Sequence, residues 1–344
     1  MSVRIAINGV GRIGRNAFRV ALQRDELELA AVNDLMDAAT LAHLLRYDSS
    51  LGRLPTPLEL RGDRLIAGGR EIPVLRSPDP AALPWADLGV DVVLECTGRH
   101  LGRERAARHL RAGAGRVVLS APSPEADVTV VRGVNEERFD PLRHRIVSNA
   151  SCTTNCLAPV LRVLHAAFGV RKGMLTTVHS YTNDQCLLDA PHRDLRRGRA
   201  AAVSMIPTTT GAAAAVGEVL PDLRGKLDGV SVRVPTPNVC LADLTVALGR
   251  GASVSAVNDA LRRAAEGPLS GILGYTDEPL VSVDYLGCPL SAVVDGPKTR
   301  VVEGDLIKVL AWYDNEWAYA NRLLDLAAQV GAAEPVAAAA RRGP

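Results

Sequence analysis

The chain has no run of about 18 apolar residues, so no segment is long enough to cross a bilayer as a helix. It has no CxxC pair. Its six cysteines, at positions 96, 152, 156, 186, 240 and 288, are scattered through 344 residues. That distribution suggests neither a disulfide framework nor a zinc site. Cys152 and Cys156 share a helical spacing, but no second ligand pair accompanies them, so no metal is expected. Strong charge is also missing: 40 basic and 38 acidic residues leave a net charge of +2. With no basic or aromatic stripe either, no nucleic-acid partner is expected. Lysine is scarce, with four against 40 basic residues in all, which reads as genomic base composition. The start, MSVRIAINGVGRIG, lacks a charged segment followed by a long apolar run and a cleavage site. No signal peptide or membrane association is expected, and the protein is read as cytoplasmic. No tandem repeat or low-complexity linker is evident.

What is present is ordinary in bulk and specific in pattern. Hydrophobic content is 47% and charged content 23%, and 344 residues suit two domains. Val3 to Asn8 (VRIAIN) reads as a buried strand ending at a glycine. Gly9-Val10-Gly11-Arg12-Ile13-Gly14 follows, then the helical pattern RNAFRVALQR, then a second apolar run ending in Asn33-Asp34. Strand, GxGxxG, helix, strand and an acid 20 residues after Gly14 form a complete dinucleotide-binding unit. Gly9 permits the tight turn, Gly11 the close approach of a pyrophosphate, and Gly14 close packing of helix on strand. The helix start at Arg12 and Ile13 offers free N–H groups to phosphate. Asp34 is placed to accept hydrogen bonds from ribose hydroxyls. Further strands fit 89–98, 115–122, 127–135 and 145–149, with a helix over 101–111. Their ends carry Thr97, Gly98 and Ser120, candidate cofactor contacts at the carboxyl edge of a mainly parallel sheet.

After Cys152 the pattern changes. CLAPVLRVLHAAF reads as a helix, capped by Ser151 or a neighbour. Strand-like runs follow at 173–182, 230–239, 241–249, 279–287, 290–295 and 299–314, the last resembling a hairpin. Helices interrupt them at 211–220 and 255–266, and an amphipathic helix closes the pattern at 315–330. The expected fold is α/β: a Rossmann-type dinucleotide-binding domain over 1–150, completed by a C-terminal helix at 315–332. An α+β catalytic domain with a largely antiparallel or mixed sheet covers 151–314. A flexible tail is expected over 335–344.

SNASCTTNC, from Ser148 to Cys156, crowds small nucleophiles and hydroxyls into nine residues. A free thiol titrates near about 8.5, and a helix amino terminus or an imidazolium favours the thiolate. The helix lies directly after Cys152. His179 stands where a strand gives way to the polar loop of TTVHSYTND. A cysteine with a histidine in reach is a covalent-catalysis pair. A buried helix cap beside a core histidine is the other reading these residues allow.

SNASCTTN, INGVGRIGR, TTVHSYTNDQ, DLRRGRAAA, IPTTTGAA, VRVPTPNV and WYDNEWAYANR resemble, in order, the phosphorylating glyceraldehyde-3-phosphate dehydrogenase family (type I). The resemblance covers the chain from about Arg4 to about Leu326. It implies NAD as cofactor, with glyceraldehyde 3-phosphate and inorganic phosphate as the substrates. Cys152 would form a thiohemiacetal and then a thioester, with His179 as base. Ser151, Thr153, Thr210 and Gly211 would hold the attacking phosphate; Thr182, Arg197 and Arg233 would hold the substrate phosphate, with Arg196 and Arg199 as alternatives to Arg197. Asn315 would bind the nicotinamide carboxamide, with Tyr319 nearby. A homotetramer is implied, with 185–205 at a subunit interface.

Some positions depart from the family pattern. Ala214 stands where GAAKA is common, and Cys96 stands in ECTG where ESTG is usual. RSPDPAALPW shifts an arginine, and LGCPLSAVVDG replaces a serine-rich strand. None of these is Cys152 or His179. They leave open a divergent isozyme, including one tolerant of a thiol-directed inhibitor. Two other readings are an erythrose-4-phosphate dehydrogenase and a non-enzymatic binding role.

Overall fold

The computed structural model describes residues 2–333. The tail expected over 335–344 lies outside them. The chain forms two compact units. One takes Met1–Arg132, Glu136–Ala150 and the chain from Ala320 on; the other takes Gly133–Asn135 and Ser151–Tyr319.

Short runs of apolar residues buried along nearly their whole length build the first unit. Val3–Asn8 is at the middle of a nine-stranded sheet, with Leu27–Asn33 on one side and Val92–Glu95 on the other. Both pairings are parallel. Arg116–Leu119, Ile146–Ser148 and Val128–Thr129 extend one flank, and Arg70–Leu75 the other, all in parallel. The chain leaves Val3–Asn8 in one direction along the sheet and later returns on its other side. That reversal makes a crevice at the carboxyl ends of the strands. Gly9 turns the chain there at φ 91°, and a Cβ on it would lie 2.7 Å from Thr97. A Cβ on Gly14 would lie 2.0 Å from the Gly9 carbonyl oxygen, so helix Arg12–Ala21 packs on the turn only as glycine allows. Residues of the closing helix Trp317–Ala332 belong to this unit from Ala320 on. Arg116 donates to the carbonyl of Val330 at 2.8 Å, and Gly331 leaves no room for a Cβ against Val3.

The second unit is a mixed sheet with segregated helices. Val170–Ser180 pairs in parallel with Leu227–Val234 and antiparallel with Cys240–Leu248. Leu306–Tyr313 follows, antiparallel to Cys240–Leu248, and Arg300–Val302 forms a hairpin with it. Burial alternates residue by residue along Cys240–Leu248, as a sheet with one covered face requires. Helix Cys152–Phe168 lays Leu157, Leu161 and Leu164 into the core with Leu244, Val246 and Val309.

The strand expected over 279–287 is not formed. A 3-10 turn at Ser282–Tyr285 stands in its place, with the Asp284 carboxylate accepting from the Val281 N–H at 2.8 Å. A local side-chain acceptor competes here with ladder bonding. The alternating valines that suggested a strand are exposed, Val281 by 56% and Val283 by 69%. The hairpin Leu58–Arg61/Arg64–Ala67 and the helix Ala38–Arg46 are additions to the sequence reading. The helix carries its own signal in Asp37, which caps the N–H of Thr40.

Candidate active site

Ala150 brings the chain into the site at φ 54°, in the left-handed region that costs a residue with a Cβ. Ser151 is the N-cap of the next helix, its Oγ accepting from the Thr154 N–H at 3.1 Å. Cys152 is the first helical residue, at the positive end of 17 residues of helix. His179 comes from the end of strand Val170–Ser180. Its Nε2 lies 3.7 Å from the Cys152 Sγ. Its Nδ1 lies 2.7 Å from the Ser180 carbonyl oxygen, which only accepts, so Nδ1 carries the proton and Nε2 turns a lone pair toward the thiol. Arg233 Nη1 is 3.1 Å from the same Nδ1, and it has the Ser180 carbonyl, at 3.3 Å, as its acceptor.

Burial pushes the Cys152 thiol above its usual value, against the Thr153 hydroxyl and the Arg233 charge, which pull it down. Burial, and then Arg233, hold His179 down at about 4. Desolvation thus opposes the help that the helix terminus gives the thiol. A proton passed from sulfur to Nε2 creates two charges that stabilise one another. Tyr313 is a further member that the sequence reading did not single out, although WYDNEW contains it. Its buried hydroxyl bonds to Thr153 and Thr177, each at 2.9 Å, and so ties the cysteine helix to the histidine strand.

Two guanidiniums stand nearby. Arg233 reaches the Thr182 hydroxyl at 3.4 Å, while its Nε is buried without a partner among the described residues. Burial and then the charge of Arg197 lower Arg233, a strain that a bound anion would relieve. Arg197 donates to the Thr208 hydroxyl at 3.0 Å, pairs with Asp184, and reaches the Thr209 carbonyl at 3.4 Å. Its bonds set it beside the strand leading into Thr210 and, through Asp184, beside the loop that follows Thr182. Its alternatives are engaged elsewhere: Arg199 pairs with Asp189 and Arg196 reaches the Pro207 carbonyl. Thr210 accepts from the Ala212 N–H, and Gly211, the N-cap of helix Ala212–Val219, faces open space. Ser151 and Thr153 are already bonded within the helix start and to Tyr313. Asn315 is buried, its Oδ1 accepting from Ser180 and Cys240, and Tyr319 is buried as well.

In the first unit a cavity of about 410 Å³ is lined by Asn8, Gly9, Gly11, Asp34 and Thr97, among others. A Cβ on Gly11 would meet nothing, so the backbone there is open to a ligand. Asp34 accepts from the N–H of Val10 at 2.6 Å and of Met36 at 3.1 Å, which fixes the carboxylate at the crevice edge. Gly98 has φ 69° with open space around it. The Ser120 N–H donates to the Glu95 carbonyl, at the strand end. Arg12 commits its guanidinium to Asp48, which leaves its backbone and that of Ile13 at the helix start for a phosphate. Sequence reasoning missed what lies beneath. The buried Glu95 carboxylate accepts from Asn8 at 2.6 Å, from the Thr97 N–H at 2.8 Å and from His109 at 3.0 Å. Trp85 donates to the other ring nitrogen of His109 at 3.0 Å, so the ring N–H is on the nitrogen facing Glu95 and donates to it. These polar residues sit in apolar runs far apart in the chain, and no local spacing signals them.

A nucleotide crevice and a cysteine with its own base in one chain point to a class, the dehydrogenases that oxidise a carbonyl carbon while it is bonded to sulfur. Residues 3–103 match the glyceraldehyde 3-phosphate dehydrogenase NAD binding domain, and residues 151–315 match the C-terminal domain of the same family. The chain is 56% identical over 330 residues to the glyceraldehyde-3-phosphate dehydrogenase of Geobacillus stearothermophilus, covering 96% of this chain and 98% of that one. It is 55% identical over 330 residues to glyceraldehyde-3-phosphate dehydrogenase 1 of Bacillus subtilis, covering 96% and 98%. It is 54% identical over 332 residues to glyceraldehyde-3-phosphate dehydrogenase 2 of Streptomyces arenae, covering 96% and 99%. The chain belongs to the glyceraldehyde-3-phosphate dehydrogenase family.

Proposed function

We propose that the protein oxidises and phosphorylates D-glyceraldehyde 3-phosphate to 1,3-bisphosphoglycerate, with NAD and inorganic phosphate, in glycolysis. The observation that carries this is the Cys152 Sγ at 3.7 Å from the His179 Nε2, with Arg233 beside them. The thiol adds to the aldehyde carbon as His179 takes its proton and returns it to the aldehyde oxygen, giving a thiohemiacetal and a neutral imidazole. Bound NAD supplies the hydride acceptor. His179 is the group placed to take the hydroxyl proton as that adduct is oxidised to a thioester. Inorganic phosphate then attacks the thioester carbon, the C–S bond breaks, and the Cys152 sulfur is released. Arg233 and Thr182 hold the substrate phosphate. Ser151, Thr153, Thr210 and Gly211 receive the attacking phosphate, and the bonds of Arg197 favour its joining them. In the cofactor site, Gly9, Gly11, Gly14 and the N–H groups of Arg12 and Ile13 take the pyrophosphate, Asp34 the ribose, and Thr97, Gly98 and Ser120 the wall. Asn315, with Tyr319 behind it, takes the carboxamide. The relatives are named for glyceraldehyde 3-phosphate, and neither the erythrose-4-phosphate reading nor a purely binding role is favoured. NADH absorbance with each aldehyde, with and without phosphate, tests this. Phosphate-dependent turnover faster on erythrose 4-phosphate would overturn it.

NAD is expected to be used at least about tenfold more efficiently than NADP. A 2′-phosphate would meet Asp34, at a cost of roughly 4 kcal/mol per unit charge pair at 4 Å and an effective dielectric near 20, before screening. Because Asp34 also holds the Val10 N–H of the glycine turn, Asp34→Gly should lose NAD efficiency rather than gain an NADP preference. The ratio of kcat/KM values for the two cofactors checks both statements; equal values in the wild type would contradict the first.

A homotetramer is supported by the apolar exposure of 185–205. Leu187, Leu188, Leu195, Val203 and Met205 are each at least 75% exposed in the single chain. Light scattering should return four chain masses. Among the described residues no helix is long and apolar enough to cross a membrane, and we place the enzyme in the cytoplasm, with its metabolite substrates.

A further inference from the structure

We infer that Ser180 and Cys240 are positioning residues that hold the Asn315 amide in one orientation, so that its Nδ2 can read a carboxamide oxygen. The inference rests on the reading of Asn315 as the nicotinamide subsite. Three contacts carry it. The Ser180 hydroxyl donates to the Asn315 Oδ1 at 3.0 Å, and the Cys240 thiol donates to the same oxygen at 3.3 Å. The Ser180 backbone N–H lies 3.3 Å from the Cys240 sulfur.

A backbone N–H can only donate, so the sulfur is the acceptor in that contact and its proton is free for Asn315. Burial pushes the Cys240 thiol up, which keeps that proton in place. A flipped amide would turn its N–H groups toward the Ser180 hydroxyl and toward a sulfur that already accepts one N–H. In the observed orientation every one of these contacts pairs a donor with an acceptor. The backbone is fixed too: the Asp314 carboxylate accepts from the N–H groups of Glu316 and Trp317 at 2.9 and 2.8 Å. With Oδ1 doubly bonded, the Nδ2 donor of Asn315 has no partner among the described residues. It selects an acceptor, as the oxygen of a carboxamide is.

Ser180 is the hub of this arrangement. It is fully buried, and its carbonyl also receives the His179 Nδ1 proton at 2.7 Å. One residue at a strand end thus sets the tautomer of the base and the direction of the amide. Removing only its hydroxyl leaves the carbonyl bond to His179 intact.

The test is calorimetric titration of the full-length oligomer with NAD and with ADP-ribose, which lacks the nicotinamide ring. Ser180→Ala and Cys240→Ala are each expected to weaken NAD roughly three- to tenfold, the scale of one neutral hydrogen bond. ADP-ribose affinity should stay within about twofold. Cys240→Ser keeps a donor and should restore NAD affinity to near the wild-type value. Asn315→Ala is the control for the underlying reading. If it leaves the NAD to ADP-ribose ratio unchanged, Asn315 does not bind the carboxamide and the reading falls. If it changes that ratio while Ser180→Ala and Cys240→Ala do not, the reading stands and the positioning role is overturned. Should Cys240→Ala fail to fold, Ser180→Ala decides alone.

Discussion

Cys152→Ser is expected to lose turnover by roughly 10⁴-fold or more, the scale on which enzymes lose rate with their nucleophile, while binding NAD as the wild type does. A serine hydroxyl at that place has no comparable nucleophilic form near neutral pH, and an ester in place of the thioester gives phosphate a poorer leaving group. The oxygen still fits the helix start, so the fold and the crevice of the first unit should be unaffected. The internal contrast is Cys156, four residues on and fully buried in the core of the second unit. Burial pushes its thiol well up. Cys156→Ser is therefore expected to keep its rate while losing some stability, because it sets a hydroxyl among apolar neighbours. Steady-state rates with NAD titrations on both variants check this. Comparable losses of rate in the two would contradict the assignment.

His179→Asn is expected to cost about 10²- to 10⁴-fold in kcat, the usual range for a general base. The imidazole is also the proton acceptor nearest to the Cys152 sulfur, and its loss leaves the Arg233 charge beside the thiol. Desolvation already raises the thiol, so its thiolate gains as pH rises. Loss of the acceptor should shift the pH dependence of Cys152 alkylation further upward. Iodoacetamide inactivation followed across pH, with mass mapping of Cys152, measures it. An unchanged alkylation profile in His179→Asn would remove the histidine from the role.

How much of this was legible before the structure depends on the range of the interaction. The glycine turn is read correctly from sequence because its signal is local: Gly9, Gly14 and Asp34 act within one strand–helix–strand unit. Cys152 at a helix start and His179 at a strand end are likewise local features. The strand expected near Val281 fails because alternating valines look alike whether a sheet or solvent faces them, and Asp284 settles the matter in favour of a turn. Which strand Arg197 meets is not legible, because a charged residue in a loop carries no sign of it. Ser180, Cys240, Tyr313 and the Glu95–His109–Trp85 chain are illegible for a further reason. Each is a common residue whose partner lies between 14 and 160 positions away. Register across a sheet, such as Cys240 against Tyr313, and the packing of helices and loops on it bring such residues together.

The central claim is that the substrate carbon becomes a thioester on Cys152, which inorganic phosphate then cleaves. Rapid mixing of the enzyme with glyceraldehyde 3-phosphate and NAD, without phosphate, tests it directly. The account predicts a burst of NADH equal to one per chain, a phosphoglyceroyl mass increase on the peptide carrying Cys152, and loss of that mass on adding phosphate. A burst with no adduct on that peptide, or steady NADH production with phosphate absent, would contradict it.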